Sequence, residues 1–272
     1  MGAQAPTLSP VCVPDPAPRS GHAPPPSARA HRDELFPDHV STLARTDPEL
    51  VEYFDNFAFD EVQRDAPLPV RTRLMVQLAA LIACGAVHGF RATAGAALTV
   101  GVTPVEVKEV VYQAVPYVGM GRVLDFLHAT NTLLTQRGVS LPLPGQSTTT
   151  PETRSEAGLA VQKQIIGADA VDAMYANAPQ DEQHIQRYLS ANCFGDHYTR
   201  DGVDVPIREL LTLAMLIALG GAHPQVAGHV RANLHVGNDR ATLLAVITQL
   251  LPYVGYPRTL NALRALNEHA PA

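Results

Sequence analysis

A glutamate and a histidine in the C-terminal half are the residues best suited to proton transfer. Glu209 stands near the start of an apolar run, and His229 lies twenty residues further on among apolar neighbours. A carboxyl group in apolar surroundings and a neutral imidazole can act as acid and base near pH 7 without a cofactor. Each also has a structural interpretation, Glu209 as a first-turn acid that complements the helix dipole and His229 as a packed histidine.

The spacing of the histidines can also be tested for a metal site. His223, His229 and His235 follow one another at intervals of six residues. On one helix that interval turns each side chain by about 600°, so that successive members point about 120° apart. They cannot share one ion on a single helix, and we predict no metal and no other cofactor. His223 is then either a turn residue or part of a pocket rim.

Four further side chains are predicted to bind a substrate. A guanidinium such as that of Arg264 matches the fork of a carboxylate, and His128 occupies the corresponding position in the other half of the chain. Tyr253 could donate a hydrogen bond, although packing of its turn is the alternative. The predicted substrate-binding set is His128, His223, Arg264 and Tyr253, beside the catalytic residues His229 and Glu209.

One sequence pattern occurs twice and must supply the elements that position these residues. RLMVQLAALIACGAVH (73–88) matches RELLTLAMLIALGGAH (208–223) at an offset of 135. VPYVGMGRVLDFLHATN (115–131) matches LPYVGYPRTLNALRALN (251–267) at an offset of 136. Agreement in order and spacing over this length indicates an internal duplication, with one inserted residue between the two matches.

Each repeat predicts helices rather than strands. The composition favours this class, because the apolar residues are mainly Ala, Leu and Val and only 6% of the chain is aromatic. Prolines near helix starts, glycines after helix ends and capping residues divide each repeat into four helices. They are predicted at 69–84, 90–99, 104–114 and 119–136, and again at 206–220, 224–235, 239–250 and 256–268, with amphipathic lead-in segments at 33–60 and 155–193.

Composition also predicts where the repeats begin and end. Residues 1–32 are rich in Pro, Ala and Ser, which indicates a disordered arm rather than a signal peptide. The first repeat is assigned to residues 33–140 and the second to residues 155–272. A polar stretch over residues 141–154 forms the linker between them.

The repeat resembles the carboxymuconolactone decarboxylase family, an all-α superfamily that includes the AhpD-type alkylhydroperoxidases. The resemblance is carried by RELLTLAMLIALGG, HPQVAGHVRANLHVGN and ITQLLPYVGYPRTLNAL, and by their first-repeat counterparts. It implies an all-α fold in which two tandem AhpD-like helical repeats form a pseudo-dimer. It also implies further association into a homo-oligomer, with a trimer of pseudo-dimers as the expected form.

The family's functional pattern is a Glu followed by Cys-x-x-Cys-x-x-x-His. Glu209 and His229 match its Glu and His, whereas Ala222 and Gln225 stand at its two cysteine positions. Thiol peroxidase activity is therefore not expected, because it needs a thiolate and a resolving thiol. Cys84 aligns with neither redox position and is predicted to be a small buried hydrophobic residue.

The first repeat lacks the whole functional set. Leu74 stands at the Glu position and Thr93 at the His position, with Ala86 and Gly89 at the cysteine positions. We therefore expect the second repeat to be the active half and the first to act as its structural partner and complete the pocket.

These observations favour a cofactor-free decarboxylase-like lyase acting on a small acidic or lactone-type molecule. An isomerase or cyclase on the same fold, and a non-catalytic binding or assembly protein, stay open as alternatives. The net charge of −6 without a Lys/Arg cluster argues against nucleic acid, and the longest apolar run is too short for a membrane span. Three unpatterned cysteines indicate reduced thiols in a cytoplasmic protein.

Overall fold

The structure is a computed structural model that describes residues 26–37 and 42–271. Those residues form helices and contain no β-strand, which confirms the all-α class. The first half comprises α1 (Pro26–Leu35), α2 (Leu43–Thr46), α3 (Pro48–Asn56), the π-helical segment π1 (Phe57–Glu61), α4 (Val62–Asp65), α5 (Val70–Cys84), α6 (Val87–Thr99), α7 (Pro104–Val118) and α8 (Met120–Gln136). The second half comprises α9 (Arg154–Ile166), α10 (Ala168–Asn177), α11 (Gln183–Tyr188), the π-helical segment π2 (Leu189–Tyr198), α12 (Val205–Leu219), α13 (His223–His235), α14 (Arg240–Val254) and α15 (Tyr256–His269).

The central helices α5 and α12 are apolar on nearly every face, and the fold buries them accordingly. They pack against each other at the centre of the molecule. In addition, α7 of the first repeat packs on α12, and α14 of the second repeat packs on α5. Each central helix is thus covered by the third helix of the other repeat, which is the exchange that a pseudo-dimer requires. The hydrophobic effect over this shared core ties the two halves together.

Local sequence signals set the ends of the third helix in each repeat. Thr103 and Glu106 form a capping box at the start of α7, and the Asp239 side chain accepts from a backbone N–H at the start of α14. These helices were predicted to end at residues 114 and 250, before Pro116 and Pro252. Both lie inside them instead, and each helix continues for two residues before a glycine with positive φ ends it.

The predicted N-terminal arm has a shorter extent than the sequence suggested. Its residues 1–25 lie outside the described part of the chain. Residues 26–32, in contrast, belong to α1, where Ala28 is fully buried and the Ser27 hydroxyl donates to Asp60 over 2.6 Å. The prediction of disorder was wrong for this part, because a proline at a first helical position and the alanines after it favour a helix.

Cys84 also differs from its prediction. It ends α5 and is exposed, with Arg258 Nη1 3.8 Å from its sulfur. The C-terminal end of the central helix reaches the molecular surface, so that the thiol is not part of the core. Among the helices that the structure describes, none combines the length and the apolar character needed to cross a membrane.

Candidate active site

Glu209 and His229 lie in direct contact. Glu209 stands in the first turns of α12 and is fully buried. His229 lies in the middle of α13, and its side chain is 15% exposed. The His229 Nδ1 atom is 2.8 Å from Glu209 Oε2. The two residues that the sequence singled out for proton transfer therefore form a hydrogen-bonded carboxyl–imidazole pair, with only the imidazole reaching the surface.

Tyr198 forms a hydrogen bond with the other oxygen of the Glu209 carboxyl group. Its hydroxyl donates to Glu209 Oε1 over 2.6 Å and also lies 2.8 Å from Thr212 Oγ1. Tyr198 is the last residue of π2, whereas Thr212 lies one turn along α12 from Glu209. Both carboxyl oxygens thus have partners, which is the condition for burying such a group without a large desolvation cost.

The first repeat contributes Tyr117 to this cluster. Its hydroxyl is 3.0 Å from that of Tyr198, and its ring meets the imidazole of His229 edge-on, at a centroid distance of 5.8 Å. The sulfur of Cys193 lies 3.7 Å from the Tyr117 hydroxyl. Since Tyr117 comes from α7, the site contains residues of both repeats.

Burial controls the protonation of this cluster. It raises the pKa of Cys193 to about 12 and the pKa values of Tyr117 and Tyr198 well above that of an exposed tyrosine. All three groups are therefore neutral at pH 7. Cys193 is thus a buried thiol rather than a thiolate, and the thiolate is the form that acts as a nucleophile.

Asn233 fixes the distance between the two helices that carry the pair. Its side-chain amide lies on α13 and donates to the backbone carbonyl of His229 over 2.7 Å and to that of Glu209 over 3.1 Å. Its own carbonyl accepts from Asn238 over 2.8 Å. The amide therefore joins α12 to α13 at the level of the Glu209–His229 pair.

An ion cluster next to Glu209 anchors α12 to the first repeat. Arg208 is fully buried and donates to Glu109 Oε2 over 2.9 Å and to Gln113 Oε1 over 3.0 Å, both on α7. Arg200 binds the other oxygen of Glu109 over 2.8 Å. This anchoring holds the first turn of α12, and with it Glu209, against the helix that carries Tyr117.

The other predicted residues lie elsewhere. His223 and Arg264 line a cavity of about 160 Å³ between α12, α13 and α15, close to Arg258. His128 is exposed on α8, and Tyr253 lines a separate cavity in the first repeat. Within the described residues, the structure does not join any of these four side chains to the Glu209–His229 pair by a hydrogen bond or ring contact. The four residues predicted to bind a substrate therefore lie in three separate places: the cavity near α15, the surface of α8 and the cavity in the first repeat.

No metal-binding group of three or more His, Cys, Asp or Glu residues is present in the described ranges 26–37 and 42–271. The reason that the histidines of α13 do not form one is geometric. His223 lines the cavity near α15, and His229 is turned toward Glu209.

The sequence did not indicate Tyr198, Thr212 or Tyr117 as site residues. The repeat match gave no signal for Tyr198, because Val62 is at the corresponding position of the first repeat. Tyr117 did carry a signal, since it lies in the duplicated PYVG segment. That duplication indicated a shared structural role, whereas the structure shows that its hydroxyl enters the site of the other repeat.

Comparison with known proteins agrees with this architecture. The family model "Carboxymuconolactone decarboxylase family" matches residues 48–132 and 183–268, one region in each half of the chain. These matches cover more than half of the sequence, and the chain belongs to that family. A 4-carboxymuconolactone decarboxylase of Acinetobacter baylyi (strain ATCC 33305 / BD413 / ADP1) is 28% identical over 117 residues, which are 43% of this chain and 87% of that protein. The resemblance seen in the sequence, including its duplication, is confirmed.

Proposed function

We propose that the protein is a decarboxylase-like lyase that uses the Glu209–His229 pair for proton transfer on a small acidic or lactone-type substrate. The observation that carries this proposal is the 2.8 Å contact between a fully buried carboxyl group and a partly exposed imidazole. Family membership and the decarboxylase relative support the reaction class. The substrate would approach from the side on which the imidazole is exposed.

The hydrogen bonds support a separate part in this mechanism for each residue. Glu209 engages His229 through Nδ1, which leaves Nε2 as the nitrogen that exchanges a proton with the substrate. Tyr198 holds the carboxyl group in the orientation that meets the imidazole. Glu209 thus orients the ring and stabilises the imidazolium when it forms, as a carboxylate does for a catalytic histidine in general.

Decarboxylation of an unsaturated lactone acid needs one proton delivered to carbon. The bond between the ring carbon and the carboxylate breaks, its electron pair passes into the conjugated lactone, and CO2 leaves. The imidazolium of His229 then protonates the carbon, and the neutral imidazole regains a proton from solvent. The same proton transfer would serve an isomerisation, a cyclisation or an elimination, which are the alternatives within the enzyme class.

The decisive experiment measures CO2 release from 4-carboxymuconolactone by the wild type and by His229→Ala. We expect the variant to lose about 10²- to 10⁴-fold in rate, the usual contribution of a positioned acid–base group. His235→Ala is the matched control, because His235 lies on the same helix and is exposed. It should keep the wild-type rate.

Two results would contradict the proposal. Equal rates for the wild type and His229→Ala would remove the histidine from the chemistry. Absence of CO2 release from the wild type would exclude this substrate, and proton exchange into related lactones followed by NMR would then test the isomerase alternative. If no exchange depends on His229 either, the remaining interpretation is a non-catalytic binding protein.

A further inference from the structure

A cavity of about 230 Å³ lies in the first repeat at the counterpart of the Glu209–His229 site. Two of its lining residues show the correspondence. Thr93 aligns with His229, and Tyr253 aligns with Tyr117. The position of Glu209 is taken by Leu74, so the first repeat has neither member of the proton-transfer pair. What it has at this position is an open space between α1, α3, π1 and α6.

The walls of this cavity are mainly aromatic. Phe36, Phe59, Phe54 and Tyr253 follow one another in edge-to-face contacts, with ring centroids 6.2, 6.1 and 5.8 Å apart. Edge-to-face geometry is also the arrangement in which an aromatic ligand packs against such rings. A dry cavity of about 150 Å³ accommodates benzene, so this one has room for a single ring with a small substituent.

Three hydrogen-bond donors accompany the aromatic walls. The hydroxyls of Thr93 and Tyr253 have no hydrogen-bond partner among the residues that the structure describes. Arg32 donates through Nη1 to Asp55 over 2.8 Å, and its Nε lies 3.8 Å from Asp33 in a longer ion pair. Its remaining N–H groups make no further hydrogen bond within the described ranges. Asp55 is the one acid in the lining and is already paired, so the cavity offers more donors than acceptors.

We propose that this cavity binds a single-ring aromatic carboxylic acid without transforming it. The ring would pack among the four aromatic side chains, and the carboxylate would accept hydrogen bonds from Thr93, Tyr253 and Arg32. No acid–base pair faces the ligand, because a threonine replaces the histidine and a leucine the glutamate. This binding site is independent of the reaction proposed for the second repeat.

The test is calorimetric titration with benzoate, using Thr93→Val and Tyr253→Phe as near-isosteric variants. Each variant should weaken the affinity about tenfold, since each removes one hydrogen bond to a charged acceptor. Benzyl alcohol, which keeps the ring and lacks the charge, should bind more weakly than benzoate. Thermal unfolding of each variant checks that the fold is retained.

His229→Ala separates the two sites. It should bind benzoate as the wild type does, because its side chain lies in the other repeat. The proposal is overturned if the wild type does not bind benzoate at millimolar concentration, or if both hydroxyl variants bind it unchanged. Loss of binding in His229→Ala together with unchanged binding in Thr93→Val would place the ligand in the second repeat and would equally overturn it.

Discussion

The two repeats share one helical frame and differ at the same place within it. In the second repeat, Glu209 and His229 form a hydrogen-bonded pair in a network of buried hydroxyls. In the first, Leu74 and Thr93 take their positions beside an open cavity. Because the first repeat forms the same helices with Leu74 at this position, the fold itself does not require a buried glutamate. Because burying a carboxyl group costs free energy that an apolar side chain does not, the polar set is best explained by function.

The segments that precede the central helices also differ between the repeats, in how closely they pack. In the second repeat, α9 crosses π2 so closely that a Cβ on Gly158 or Gly195 would overlap the opposing backbone. Phe59 occupies the position that corresponds to Gly195. The equivalent close crossing is sterically blocked there, and the first repeat keeps a cavity bounded by Phe59 and its aromatic neighbours. The difference between Gly195 and Phe59 at this one position thus accompanies the difference between a closely packed site and an open cavity.

The largest expected effect on stability comes from removing the partners of the two buried arginines. Arg208 pairs with Glu109, whereas its counterpart Arg73 has the neutral Gln63 as a partner. Glu109→Ala leaves the guanidinium buried without its charge partner and should lower the free energy of unfolding by about 3–5 kcal/mol. Gln63→Ala removes a neutral acceptor and should cost less, about 1–3 kcal/mol. Urea unfolding of both variants measures the difference.

A cost for Glu109→Ala no larger than that for Gln63→Ala would show that the charge does not distinguish the two repeats. Recovery of stability in the double variant Glu109→Ala, Arg208→Met would support the ion pair as the cause. It would do so because the uncompensated charge is then absent from the core.

Much of the fold was predictable because its signals are local or repeated. Eight long helices were placed within a few residues, since apolar periodicity, caps and terminal glycines all act over one turn. The end of α7 was missed, because Pro116 near a helix terminus removes only one hydrogen bond and the helix continues to Val118. The start of α1 was missed because proline-rich composition outweighed the short helical pattern beside it.

The candidate site was predictable only in part. Glu209 and His229 were found, because the order of the family pattern survives in one repeat. Tyr198 was not, because Val62 stands at the corresponding position of the first repeat, so that the duplication gave no signal for it. Tyr253 was assigned to the site in place of Tyr117, since sequence alone does not show that the third helix exchanges between repeats.

The crossing of α9 over π2 gives the next test. Gly158→Ala adds a methyl group against the carbonyl of Ser190 and should destabilise the protein by about 1–3 kcal/mol, because backbone cannot give way as a side chain can. Gly228→Ala is the matched control, since its Cβ would meet only the far end of Arg231. It should be neutral or stabilising by up to about 1 kcal/mol through helix propensity. Equal effects in urea unfolding would show that the close crossing does not govern stability.

Alkaline pH probes the neutral cluster of the second repeat. Burial raises the pKa of Cys193 from 9.0 to about 12. The unfolded chain therefore releases this proton first, and the stability that is fully present below pH 9 declines as the pH rises toward 12. The decline per group is at most about 1.4 kcal/mol per pH unit.

Cys193→Ala should flatten the dependence of unfolding free energy on pH between 9 and 11, measured by urea unfolding at each pH. Tyr256→Phe serves as the control, because its ring is 62% exposed in the folded protein. An unchanged slope in Cys193→Ala would mean that the thiol reaches solvent in the folded state. The second repeat would then be as open at this position as the first, and the contrast between a closed polar site and an open aromatic cavity would fail.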